Sequence, residues 1–327
     1  MQGKAGDLVM THSLFGRQLH CRPNIVGNHQ KATGRIWYTE ETMGEETSYL
    51  DTLTRINIQD FLEAFGLGRV RRGRRLLEWL SWLPARRFAR QVATFDRVVG
   101  EQGLQAGARW ILTRYTQNLQ IEGQKNVPLS GPVLILCNHP GLTDTIAMFA
   151  SLPRPNLRVV AGEQPFLRAL PNTSRQLIYV PDDPLARLGV VRAGVSHLRQ
   201  GGALLTFPAG RIEPDPDVLP GAVESLQTWS ASVALFVRLV PQTQIVPAII
   251  RGVLAPASLR NPLTRLRREQ KDRERLAATL QILLQSVLAA YRPANVRVTF
   301  GTPIQADPAT VMQAVTDQAR QLIEHPR

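Results

Sequence analysis

Residues 137 to 144 read CNHPGLTD and place His139 five positions before Asp144, with Pro140 and Gly141 between them. Imidazole, with an ordinary pKa near 6.5, is the side chain best suited to take and return a proton at neutral pH. A carboxylate beside it fixes its tautomer and stabilises its charged form. In a continuous helix two residues five apart diverge by about 140° around the axis. The Pro-Gly break removes that obstacle. With His139 on a turn and Asp144 in the first turn of a following helix, the carboxylate can fold back onto one ring nitrogen and leave the other as general base for a hydroxyl. The same spacing also suits a plain capping contact at a strand-helix junction, and the pair alone does not choose between the two. No Gly-x-Ser-x-Gly, His-Glu-x-x-His, phosphate-loop or Gly-x-Gly-x-x-Gly pattern occurs. Serine-nucleophile, zinc, nucleotide-phosphate and dinucleotide chemistry are therefore without support.

Such a pair needs a strand to deliver the histidine and a helix to return the aspartate. The apolar run GPVLIL precedes the block and TIAMFASL follows it. From about residue 117 short apolar runs recur as LQIEG, PVLILCN, LRVVA, QLIYV, ALLTF, IVPAII and NVRVTF, with helical stretches after most of them. This rhythm predicts an α/β fold, a layered mixed sheet flanked by helices. Residues 264–291 read as one long helix and 307–324 as a C-terminal one. Upstream, Ile58, Phe61, Leu62 and Phe65 repeat at helical spacing, and after Pro84 so do Phe88, Val92, Phe95 and Val99. Residues 51–110 are thus expected to form a basic amphipathic helical appendage, and 111–327 the domain that carries the block. Residues 1–50, rich in Gly and Thr with little periodicity, are expected to be a poorly ordered leader.

With 327 residues and 43% hydrophobic content the chain can bury a substantial core. Its two cysteines, Cys21 and Cys137, make neither a disulfide framework nor a metal-ligand spacing, so a reduced setting and no metal are expected. No apolar run reaches the roughly 18–20 residues needed to span a bilayer, and MQGKAGDLVMTHSLFG lacks the apolar core of a signal segment. The expectation is a cytoplasmic protein, soluble or held peripherally on a membrane. A formal charge of +13 calls for a polyanionic partner, either nucleic acid or an anionic membrane surface.

Four blocks in order resemble the glycerolipid acyltransferase family, the lysophospholipid and 1-acylglycerol-3-phosphate O-acyltransferases, whose hallmark is an Asn-His-x4-Asp block. IEGQKNVPLSGPVLILCNHPGLTD is similar to the family's approach strand and catalytic block. DPLARLGVVRAGVSHLRQGG followed by ALLTFPAGRIE resembles its helix and Phe-Pro-Glu-Gly block, with Phe207, Pro208 and Gly210 in register. IVPAIIRG resembles the later Val-Pro strand, and NVRVTFGTPI the closing strand. The likeness spans about residues 115 to 305 and makes 111–327 an acyltransferase catalytic domain. It implies an O-acyltransferase of lipid biosynthesis, moving a fatty acyl group from a thioester donor to a hydroxyl of a lysophospholipid or glycerol-phosphate-like acceptor. The donor is acyl-CoA or an acyl group on acyl carrier protein, a co-substrate rather than a cofactor, and neither metal nor covalent enzyme intermediate is required. His139 is then the base, Asp144 its stabiliser, and Asn138, Phe207, Pro208, Gly210 and Arg211 the substrate-binding residues. Asn138 and the backbone amides after His139 either orient the loop or meet the developing oxyanion. Asn138 is equally suited to be a turn residue bonding its own backbone. Gly210 either lets backbone approach substrate closely or only forms a turn.

The departures bear on the acceptor. Ala209 stands where the family carries Glu, and IYVPDDP offers Asp182 where it carries Arg. Arg211 either supplies a cation for an anionic head group or is a solvated loop charge, and Glu213 either replaces part of the missing acid or is likewise solvated. A lysophosphatidic acid acceptor does not follow. His197, in mid-helix, has no assigned role. GLGRVRRGRRLLEWLSWLPARRFARQV holds eight arginines and one glutamate, with Trp79 and Trp82 amid leucines, a composition suited to the interface of an anionic bilayer. Its alternative is an apolar face packed on the catalytic domain. A nucleic-acid-binding protein leaves the four blocks unexplained, and a catalytically inactive lipid-binding protein stays open on Ala209 and Asp182.

Overall fold

A computed structural model describes residues 40–183, 185–288, 290–305 and 307–325 of the chain. Cys21 and the leader expected before residue 40 lie outside these. From Glu41 to Arg327 the chain forms one compact unit.

Three helices come first: α1 (Glu40–Ala64), α2 (Arg74–Gln102) and α3 (Leu104–Tyr115). Alternation follows as β1 (Thr116–Glu122), β2 (Val133–Cys137), α4 (Leu142–Ser151), β3 (Leu157–Gly162), the short α5 (Pro165–Arg168) and α6 (Pro171–Ser174), β4 (Leu177–Val180), α7 (Arg187–Arg199) and β5 (Ala203–Thr206). The remainder comprises α8 (Ala222–Ser225), α9 (Ser232–Leu239), β6 (Gln244–Arg251), α10 (Pro256–Leu259), α11 (Gln270–Val287), β7 (Ala294–Phe300) and α12 (Val311–Glu324). All seven apolar runs picked from the sequence are strands.

They form one sheet in the order β1-β7-β6-β2-β5-β3-β4. Strands β2 to β6 run parallel, β7 pairs antiparallel to β6, and β1 runs parallel to β7. The central strand β2, VLILC, is buried along its whole length, as a parallel strand covered on both faces must be. Val133, Ile135 and Cys137 face one layer, with α3 and α4; Leu134 and Leu136 face the other, with α7, α9 and α12. Period-2 alternation thus splits one apolar run between two cores. Helix α12 shows the matching helical logic, burying Val311, Val315, Ala319 and Leu322 on one stripe.

The helices expected as an N-terminal appendage precede the sheet and rest on its helical layer. α3 packs on α4, and the second half of α2 buries Phe95 and Val99 against Ile111 and Tyr115 of α3 and Ile282 of α11. A periodic apolar stripe announces that a helix has a partner without saying which, so the sequence could not distinguish an outer layer from a separate module. Residues 40–50, expected in the leader, are the first turns of α1. Helix α2 runs through Pro84, where the ring removes the hydrogen bond to the carbonyl of Leu80, four residues earlier, and crowds that carbonyl on an exposed stretch. The helix expected over 264–291 starts only at Gln270, after a 3₁₀ turn at Pro262–Leu266.

Candidate active site

Three parallel strands, β2, β5 and β6, end side by side, with Leu136 opposite Thr206 and Cys137 opposite Ala248. The crevice beyond such strand ends is where open α/β sheets place their chemistry. The chain leaves β2 as Asn138-His139-Pro140-Gly141, β5 as Phe207-Pro208-Ala209-Gly210, and β6 as Gly252-Val253.

Asn138 is buried and turns into the sheet. Its Nδ2 donates to the carbonyl of Ile250 at 2.9 Å and its Oδ1 accepts from the amide of Ile250 at 2.7 Å, so the carboxamide extends the β2–β6 pairing by one residue. This is a different commitment from the turn bond, and it engages both polar atoms of the carboxamide with β6. Of the amides after His139, Pro140 has none and Gly141 donates to Asp144 Oδ2 at 2.9 Å, so the immediate backbone is no free oxyanion donor either.

His139 Nδ1 lies 2.7 Å from Asp144 Oδ2, the meeting that the Pro-Gly break allows. Asp144 is fully buried, while a quarter of the imidazole is exposed. An ionised carboxylate only accepts, so Nδ1 carries the proton and Nε2 is left with a lone pair. Asp144 Oδ1 accepts from both the amide and the hydroxyl of Thr145. Burial lowers the imidazole's pKa, but the charge and hydrogen bond of Asp144, with the charge of Glu213, outweigh it and leave His139 above its ordinary value. The ring of Phe207 sits against the imidazole with centroids 4.7 Å apart.

Glu213 is no solvated charge. It is buried; its amide donates to the carbonyl of His139 at 2.8 Å and its Oε2 accepts from the amide of His139 at 3.0 Å. Oε1 lies 2.9 Å from both Trp229 Nε1 and Ser225 Oγ. Burial raises its pKa against the lowering by these donors. Pro208 is buried with its carbonyl accepting from Ser230, and Ala209 packs into the apolar core on the α9 side. Gly210 takes a left-handed φ of 63° and closes a turn on Phe207, a conformation that favours glycine with no close neighbour to demand it. Arg211 is exposed beside it, and Asp182 is exposed in the loop after β4. His197 ties the carbonyls of Asn156 and Ala203 together, away from the site.

Asp215 escaped sequence reasoning. Its buried carboxylate accepts from the amides of Asp217, Gly252, Val253 and Leu254 and so pins the loop after β5 to the end of β6. Gly252 is held at φ 72° where a Cβ would strike the carbonyl of Asn295. The Pro-flanked acids of EPDPD mark a stiff loop, but nothing in their order says which turns inward. Among the described residues no group of three or more His, Cys, Asp or Glu has the arrangement to hold a metal ion.

Residues 118–251, from β1 to the end of β6, match the model of the family described as Acyltransferase. No curated protein matches the chain. A solved structure similar to it is the 1-acyl-sn-glycerophosphate (LPA) acyltransferase PlsC from Thermotoga maritima, 15% identical, at a TM-score of 0.41 over 86% of this chain and 95% of that one.

Proposed function

We propose that this chain, whose residues 118–251 match the Acyltransferase family model, moves a fatty acyl group from a thioester donor to the hydroxyl of a lysophospholipid or glycerol-phosphate-like acceptor. The observation that carries the mechanism is the 2.7 Å contact between a partly exposed imidazole and a fully buried carboxylate. His139 Nε2 takes the acceptor's hydroxyl proton as that oxygen attacks the thioester carbonyl. The C–O bond forms, the tetrahedral centre collapses, the C–S bond breaks, and the imidazolium returns its proton to the leaving thiolate. Asp144 stabilises the imidazolium in between and holds Nδ1 protonated, so that Nε2 always faces the reaction. Phe207 holds the ring plane, and Asn138 sets the height of the loop above the sheet.

In this reading Arg211, exposed one residue beyond the Gly210 turn, meets an anionic head group away from the reacting centre. Attachment to the membrane is proposed to be peripheral, through the exposed first half of α2, where Trp79 is 72% and Trp82 48% exposed. No described helix is long and apolar enough to cross a membrane. The test is to incubate the purified chain with mixed lysolipids or glycerol 3-phosphate and either acyl-CoA or acyl carrier protein bearing an acyl group, and to seek the acylated product by mass spectrometry. Product with one donor and not the other assigns the carrier. Thioester hydrolysis with no acylated acceptor would overturn the reading.

A further inference from the structure

We propose that Glu213 is a positioning residue for the base, a clasp that replaces the sheet ladder at the one point where His139 has left it. The inference rests on the acyltransferase reading above, and on geometry that reading does not use. Backbone pairing of β2 ends at Cys137, and Asn138 prolongs it only with its side chain. His139 is the next residue, and a main-chain segment that has run off a sheet has no partner for either of its peptide groups unless another element supplies one. Glu213 supplies both: its amide donates to the carbonyl of His139, and its carboxylate accepts from the amide of His139.

With Nδ1 held by Asp144, the histidine is fixed at N, O and Nδ1, and Nε2 is the only polar atom left to the reaction. The same loop that ends at Glu213 begins at Phe207, whose ring lies on the imidazole, so residues 207 to 213 grip His139 at backbone and ring together. The carboxylate is itself immobilised from behind by Trp229 Nε1 and Ser225 Oγ. Asp215, two residues on, also gathers amides, but those of Asp217 in its own loop and of the turn after β6, and none of its bonds goes to the histidine.

A carboxylate is required at 213 because its opposed donors, the His139 amide and the Trp229 indole, both need an acceptor. Glutamine has one carbonyl oxygen, so Glu213→Gln turns an amide NH2 toward one of two N–H groups and loses that bond. A base displaced by a fraction of an ångström loses rate out of proportion to the displacement. The groups facing the imidazole are Asp144 from α4 and Glu213 from the loop after β5, with the Cys137 thiol of β2 below them, its pKa pushed well up by burial.

The experiment compares wild type, Glu213→Gln and Trp229→Phe, the last keeping an aromatic ring while removing the donor that anchors Oε1. Expected for Glu213→Gln is a fall in kcat of about 10–100-fold with both substrates' KM within about threefold, and an acid limb of kcat moved to lower pH. Trp229→Phe, which keeps the carboxylate, should show the fall in kcat more weakly with KM likewise held. Imidazole NMR with labelled histidine, His139 being assigned through His139→Ala, reads the same titration without turnover. An inactive wild type would therefore sink the acyl-transfer reading while the clasp is still tested. A purely structural Glu213 would lower the melting temperature, move the His139 titration no further than the loss of its charge does, and leave kcat unmoved. That result in either variant that folds overturns the proposal.

Discussion

The imidazole of His139 answers to two opposed pulls: burial favours its neutral form, and the carboxylates of Asp144 and Glu213 favour the charged one. The second wins, so the group protonates above the ordinary 6.5. A general base works only when neutral, hence the rate of transfer should rise with pH along a limb centred above 6.5, measured as kcat against pH at saturating substrates. In Asp144→Asn the charge is gone, burial is left in control, and the limb should drop below 6.5 while the plateau falls on the order of 10²–10⁴-fold. A limb that stays put would make Asp144 a cap and no more. His139→Ala should lose at least about 10²-fold with an unchanged melting temperature, and activity within tenfold of wild type would remove the base assignment. Arg211→Ala should raise the acceptor's KM more than it lowers kcat, because an exposed head-group contact away from the reacting atoms binds ground state and transition state alike. Spacing and a turn signal made the His139–Asp144 contact legible from sequence. The directions of Asn138 and Glu213 were not legible, because which way a loop side chain turns depends on partners more than 70 residues distant, Ile250 for one and His139 for the other.

At the scale of elements, the strands of the parallel core were readable because burial on both faces leaves an uninterrupted apolar run, as in VLILC and IVPAII. Helix limits were not, since the start of α11 is set by the 3₁₀ turn at Pro262–Leu266, which the charged run before it does not announce. What aligns the ends of β5 and β6 into one crevice is Asp215. Its carboxylate takes four backbone amides, three of them from the turn that opens at Gly252, a position closed to any residue with a Cβ. Asp215→Ala should strand those amides in the interior and cost about 2–4 kcal/mol, a fall in melting temperature of roughly 5–10 °C. An unchanged melt would mean that water replaces the carboxylate at no cost and that the crevice is held by packing alone.

Across the whole molecule α2 divides at Pro84 into two environments. Beyond it the helix is embedded against α3 and α11; before it Leu76, Trp79, Leu80, Trp82 and Leu83 are exposed, with Arg71, Arg72, Arg74 and Arg75 around them. Of the two readings that composition left open, the structure leaves those large apolar side chains of this half exposed, with Trp79 and Trp82 lining an open groove beside Arg55, Ile58 and Gln59 of α1. Arg74 and Glu78 pair at 2.7 Å on an exposed surface, which contributes little and leaves the other arginines to act on whatever approaches. An anionic bilayer suits such a face on both counts. Each arginine near the surface contributes about 1 kcal/mol and is screened by salt, while indole and leucine burial adds a part that salt does not touch. Liposome co-sedimentation separates the two. A variant with Arg71, Arg72, Arg74 and Arg75 changed to Glu should lose binding to anionic vesicles, and a Trp79→Ala, Trp82→Ala variant should bind only at low salt. Transfer to an acceptor embedded in those vesicles should fall in both, and transfer to a short-chain acceptor in solution should not, as the proposed peripheral attachment through α2 requires. Equal sedimentation of all three proteins, or wild type binding duplex DNA in preference to vesicles, would assign the face to something other than the membrane.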